Sequence, residues 1–98
     1  MYFKEKMKRI DRNQPEIVKA LRKVGASVQS LAELGRGVPD LLVAYKGVWY
    51  LMEVKDGLQP ESRRRLTEDE QNWHDSVRAK VSIVKSVDEA LAVIGAVK

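Results

Sequence analysis

The chain contains no cysteine and only one histidine. The first absence rules out disulfides and thiolate metal sites, and the second rules out the multi-histidine clusters of zinc hydrolases and of histidine-based nucleases. Any catalytic metal must therefore rest on carboxylates. Long apolar runs are also missing: no stretch approaches the roughly 20 residues that a membrane helix needs, and the lysine-rich start lacks the apolar segment of a secretory signal. A cytoplasmic protein without a membrane partner is expected. At 98 residues there is room for one domain with one modest core.

Charge is plentiful and leans basic. The formal net charge is +4, although acidic residues concentrate near Glu53 and Glu68. A basic excess around concentrated acids suggests a polyanionic partner, with nucleic acid the leading candidate, because phosphates must be attracted while a metal is held. Solubility alone explains the excess comparably well.

The most informative stretch is GRGVPDLLVAYKGVWYLMEVK, Gly35 to Lys55. Two β-prone runs, Leu41 to Tyr45 and Val48 to Val54, flank Lys46-Gly47, where glycine allows the positive φ of a tight turn. If Tyr45 pairs with Val48, then Leu42 faces Leu51, Ala44 faces Trp49, and Asp40 lands opposite Glu53. Alternation puts Lys55 on the face of Glu53. Both faces are otherwise apolar, which predicts a sheet covered on both sides.

Opposed carboxylates about 5 Å apart repel unless a cation lies between them. Two carboxylates with a backbone carbonyl and water form an oxygen-only shell suited to Mg²⁺ or Mn²⁺. A lysine beside such an ion suits phosphodiester hydrolysis, orienting water or balancing developing charge. Alternatively, Asp40 caps a turn after Pro39, and Glu53 and Lys55 are solvated strand-end charges; a lone D…ExK string favours that simpler reading.

Residues 1–12 form a basic segment in which Phe3, Met7 and Ile10 keep helical spacing, and residues 13–98 form the domain. Asn13 or Gln14 can cap a helix over Pro15 to Val24. Glu16 in its first turn suits the helix dipole, and that end could also bring it to the carboxylate pair. A strand over Ala26 to Leu31 follows, then a loop whose glycines leave Arg36 placed to touch phosphate. Asp56 to Arg65 reads as a mobile loop in which Arg63, Arg64 and Arg65 form either a backbone clamp or a solvated run. Thr67 and Glu70 make a capping box opening a helix to Ala79. Val81 to Val84 is a strand, and Ser86 with Glu89 opens the last helix. The order is αβββαβα, with a parallel return predicting a central mixed sheet flanked by helices. Trp49 and Trp73 fall on apolar stripes and read as core. His74 reads as a packing or surface residue rather than a proton relay.

Gly37-Val38-Pro39-Asp40 and Glu53-Val54-Lys55 in this order resemble the PD-(D/E)XK nuclease superfamily. Glu16, Arg36-Gly37-Val38, and Leu66-Thr67 followed by Gln71 and Trp73 narrow the likeness to its VRR-Nuc branch, the virus-type replication-repair nuclease domains. The likeness spans Pro15 to Val97 and implies a restriction-endonuclease-like α/β fold. It further implies that Asp40 and Glu53 ligate a divalent metal, that the Val54 carbonyl adds a ligand, and that Lys55 positions water. Glu16 would join the metal shell and Gln71 would line the active centre. Compact members of the branch look like structure-selective endonucleases similar to Holliday-junction resolvases, so a homodimer acting on branched DNA is expected. The rival expectations are a non-cleaving nucleic-acid-binding module of a replication or repair assembly, and a small restriction-type nuclease.

Overall fold

The computed structural model describes residues 10–96. Its elements are α1 (Gln14–Lys23), β1 (Ser27–Ser30), β2 (Leu41–Tyr45), β3 (Val48–Val54), α2 (Glu61–Arg64), α3 (Glu68–Ser76), β4 (Val81–Val84) and α4 (Val87–Val93). The strands form one mixed sheet in the order β1-β2-β3-β4, antiparallel except for the parallel β3/β4 pair. Among the described residues no helix is long and apolar enough to cross a membrane. The expected helical spacing of Phe3 and Met7 lies outside the described residues.

The β2/β3 register follows from the turn. Lys46 and Gly47 both have positive φ, 50° and 81°, the backbone of a type I′ turn, whose twist matches that of the flanking strands. Tyr45 therefore pairs with Val48, Ala44 with Trp49, Leu42 with Leu51, and Leu41 with Met52. One face of the sheet carries Leu41, Val43, Met52, Val54 and Val84, which pack with Ile17 and Leu21 of α1, with Ala90 of α4 and with Ile94 at its C-terminal end. All nine are almost wholly buried. Burial of large aliphatic side chains stabilises by about 1.5–3 kcal/mol each, so this layer is the main cohesive element.

The opposite face departs from the expectation of full cover. Leu42, Ala44 and Leu51 are half-buried, while Ile83 is 43% and Trp49 68% exposed. Trp49 is not a core residue. Helix α3 reaches this face through His74 at Glu53 and Glu70 at Lys55, at the far end of β3 from Trp49, and α2 lines a cavity beside Ile83. At nine residues, α3 is about 14 Å long, too short to reach both ends of the face.

Four local expectations also change. Asn13 stands at the N-cap position of α1 but makes no side-chain cap; its Nδ2 donates to the carbonyls of Lys55 and Lys85, both at 3.1 Å, tying the ends of parallel β3 and β4. The 56–65 segment contains the one-turn helix α2 rather than loop alone. Helix α3 stops at Ser76, whose hydroxyl donates to the Trp73 carbonyl, and the next residue, Val77, is extended. Asp11 and Arg12, grouped by sequence with the basic segment, are joined to the domain: Gln14 N–H donates to the Asp11 carbonyl, and Arg12 pairs with Asp56 at 3.0 Å.

Candidate active site

Strand β3 and its parallel neighbour end together, and this end gathers the buried charge. Glu53 is fully buried, Asp40 is 2% and Lys55 7% exposed. Asp40 immediately precedes β2, at the position that continues the hairpin register to Glu53, but lies just outside the paired strand. Its carbonyl accepts the Leu31 N–H, and its Oδ2 accepts the Val54 N–H at 2.6 Å. A buried carboxylate needs such donors, and this one fixes the Asp40 side chain against the Glu53-Val54 peptide.

Lys55 is held from α3. Its Nζ donates to Glu70 Oε1 at 2.8 Å, and the two side chains are 9% and 6% exposed. The same Oε1 accepts the Thr67 N–H at 2.9 Å, while Glu70 N–H donates to Thr67 Oγ1 at 3.1 Å. The expected capping box is therefore present, and its glutamate also neutralises the lysine. The α3 residue that meets Lys55 is Glu70. Gln71 is exposed and donates to Asp75 Oδ1 at 2.9 Å; it lines a surface cavity with Arg64, Arg65 and Ile83.

Gly37 secures this arrangement. It has φ +84°, and a Cβ there would collide with the Asp69 carbonyl and the Glu70 nitrogen. The PD loop thus packs directly on the first turn of α3, an approach only glycine permits. Arg36, also at positive φ, is exposed beside it.

His74 Nε2 lies 3.5 Å from Glu53 Oε1, with its side chain 10% exposed. The histidine therefore packs against the buried glutamate rather than facing solvent. Glu16 is not brought to Asp40 and Glu53. It is exposed and lines a second cavity with Arg12 and Asp56, because the sheet-facing side of α1 is taken by Ile17 and Leu21.

Asp11, which sequence reasoning passes over, belongs to the electrostatic surroundings of this end. Burial raises its carboxyl above the ordinary range; the Lys55 ammonium opposes that shift, while Asp40, Asp56 and Glu70 reinforce it. Its position just before the helix, inside a basic run, hides it from motif reading. Asp56 goes the other way: the Leu58 N–H and the Arg12 guanidinium hold its carboxyl below the ordinary range.

Among the described residues no group of three or more His, Cys, Asp or Glu side chains is set to hold a metal ion. The donor chemistry of Asp40 and Glu53 nevertheless fits Mg²⁺ or Mn²⁺, since Mg²⁺ is commonly bound by one or two carboxylates and keeps several waters.

A solved structure described as a VRR_NUC domain matches this fold with a TM-score of 0.62 and 29% sequence identity, over 85% of this chain and 90% of that one. The chain is similar to a VRR-Nuc domain in both fold and sequence. No protein-family model matches it. No curated protein matches it either. Its mixed four-stranded sheet with flanking helices is the PD-(D/E)XK-like α/β fold. Within this VRR-Nuc-like fold the buried Asp40, Glu53 and Lys55 share one sheet end with Glu70 and His74.

Proposed function

We propose that this VRR-Nuc-like domain is a divalent-metal-dependent endonuclease that hydrolyses DNA phosphodiester bonds, with selectivity for branched DNA such as Holliday junctions. The observation that carries the reading is the burial of Asp40, Glu53 and Lys55 together at one end of the sheet, within a fold shared with a VRR_NUC structure. Asp40, Glu53 and the Val54 carbonyl would hold Mg²⁺ or Mn²⁺, which when bound supplies charge stabilisation for the phosphate and acidifies a water. Lys55, oriented by its ion pair with Glu70, is suited to fix the attacking water or to balance charge developing on phosphate. Arg36, Arg63 and Arg65 are exposed and Arg64 half-buried; they would contact the DNA backbone.

Resolving a junction requires nicks on two symmetry-related strands, which suits a twofold dimer. The open sheet face supports one: Trp49 and Ile83 are 68% and 43% exposed, Leu42, Ala44 and Leu51 on the same face are only half-buried, and exposed apolar surface of this kind marks interaction sites. A non-cleaving binding module is the second reading, favoured by the absence of a third acid grouped with Asp40 and Glu53 among the described residues.

Incubation with a four-way junction, a flap and a duplex, in Mg²⁺, Mn²⁺ or chelator, separates these readings. Nicking of the junction that chelator abolishes is expected. Chelator-resistant cleavage refutes metal dependence, and binding without cleavage in either metal leaves the second reading standing.

A further inference from the structure

Two cavities flank α2 and share two cations. The first, about 610 Å³, is lined by Arg64, Arg65, Leu66, Gln71, Ile83 and Lys85 together with Glu61. The second, about 650 Å³, also has Arg64 and Lys85 in its wall, together with Asn13, Glu16, Ser86 and Asp56. Each falls within the roughly 300–1,000 Å³ of small-molecule sites.

Arg64 is half-buried, and its Nε–H is buried without a hydrogen-bond partner. Leaving such a donor unpaired is unfavourable, so the site favours an incoming acceptor. Lys85 uses its backbone N–H and carbonyl, bonding Glu89 and Asn13, and no ion pair engages its ammonium among the described residues. Two cations at a wall common to two cavities suit one anion held between two neutral groups. The first cavity has an apolar side, Leu66 and Ile83, and a Gln71 amide whose carbonyl remains to accept a hydrogen bond. The second carries the carboxylates Glu16, Asp56 and Glu89, of which Asp56 is paired with Arg12 and Glu89 accepts the Lys85 N–H; they accept from amino or hydroxyl groups and repel phosphate.

We propose that these cavities form a subsite for two adjacent nucleosides of an unpaired nucleic-acid strand, with the phosphate joining them held by Arg64 and Lys85. The subsite deepens the nuclease reading and rests on it for its biological use. Ile83 is the partner of Glu53 across β3/β4, and paired strands lie about 4.8 Å apart. The first cavity thus opens one strand away from the buried carboxylates. Paired bases would have to leave their stack to enter, an unstacking cost that an unpaired strand avoids.

The test measures anisotropy of a labelled short oligothymidylate and of a blunt duplex, with the full chain in excess chelator so that cutting plays no part. Arg64→Gln/Lys85→Gln should weaken oligothymidylate binding about tenfold, lower its salt slope by about 0.7, and weaken duplex binding, where Arg64 is one backbone contact among several, by a clearly smaller factor. Gln71→Glu, a change on the exposed side of α3, should weaken the same binding through repulsion, and it guards against a misfolded double variant. Lys23→Gln, at the end of α1, controls for net charge. Unchanged oligothymidylate affinity in the first two variants, or equal losses on the duplex, overturns the subsite. Failure of the nuclease reading is seen separately, as intact chain that binds the oligonucleotide in this way and cuts no DNA in Mg²⁺ or Mn²⁺.

Discussion

The Lys55–Glu70 pair offers the sharpest test of how this site is held. Both side chains are at least nine-tenths buried and 2.8 Å apart, and one glutamate oxygen serves both the ammonium and the Thr67 N–H. Removing one partner of a buried pair costs about 3–5 kcal/mol, because the other charge is left without compensation. Glu70→Ala also loses half of the capping box, about 1 kcal/mol. The total, about 4–6 kcal/mol, approaches the whole stability of a small domain. Glu70→Gln keeps an oxygen for both donors and loses only the charge, so roughly 1.5–2 kcal/mol is expected. Thr67→Ala removes the hydroxyl that accepts the Glu70 N–H without touching Lys55, and should cost about 1 kcal/mol.

Urea unfolding reads these differences. With a slope of about 1.3 kcal/mol/M for a chain of this size, Glu70→Gln moves the midpoint down by somewhat more than 1 M, and Glu70→Ala by about 3 M or more. Lys55→Met combined with Glu70→Gln should be less destabilised than the sum of its parts, with a coupling of about 1–3 kcal/mol. Thr67→Ala combined with Lys55→Met should be additive to within about 0.5 kcal/mol. Under the proposed mechanism Glu70→Gln lowers kcat and spares KM, because it loosens the lysine rather than the DNA-binding groups. A coupling below about 0.5 kcal/mol would refute the argument that Glu70 holds the lysine.

Asp40→Asn and Glu53→Gln should each abolish cleavage while the fold survives, and each should lose the rise in Tm that Mg²⁺ gives the intact chain; activity retained in either variant sinks the metal assignment. Trp49→Glu on the open face should convert a dimer to a monomer in sedimentation at micromolar concentration, without loss of helix signal; a dimer that persists moves the interface elsewhere. Replacing Arg63, Arg64 and Arg65 with glutamine should reduce the salt slope for duplex binding by about 0.9 for each phosphate no longer neutralised, and an unchanged slope means the segment faces away from duplex. Asp56 has a lowered carboxyl pKa, so its contribution is fully present above the ordinary value near 3.8 and is lost as pH falls through the lowered one. The stability gap between the intact chain and Asp56→Asn should accordingly stay constant from about pH 7 to 5 and close in stronger acid. A gap that widens with acid would show the sign to be wrong.

The hairpin was legible because its information is local. A two-residue turn fixes register, and register fixes every partner from Leu41 to Met52. The mixed sheet followed from strand order and the need for a crossover before β4. Covering of the sheet was not legible. The alternation that made both faces look buried is the same whether an apolar face meets a helix of this chain, another chain, or water, so Trp49 read as core and is 68% exposed. Asp11 and Asn13 were hidden for a related reason: their partners Lys55, Asp56 and Lys85 lie far along the chain, beyond the reach of any helical or strand periodicity.

The placing of Glu70 rather than Gln71 at the lysine was within reach of the sequence. A capping box requires its glutamate to fold back over the N-cap, so the box at Thr67 already commits the Glu70 side chain to the start of α3. Successive helical residues turn by about 100°, so if Glu70 faces inward there, Gln71 is carried to a neighbouring face. What the box could not say is what lies beneath that first turn. Gly37 supplies the answer: with a φ of +84° and no side chain, it brings the residues just before Asp40 under the Asp69-Glu70 peptide. One close backbone approach therefore joins the loop of the PD motif to the helix that holds Lys55. The carboxylates and the lysine then sit in one rigid frame instead of on separate elements, which is the preorganisation that charge stabilisation in a nuclease needs.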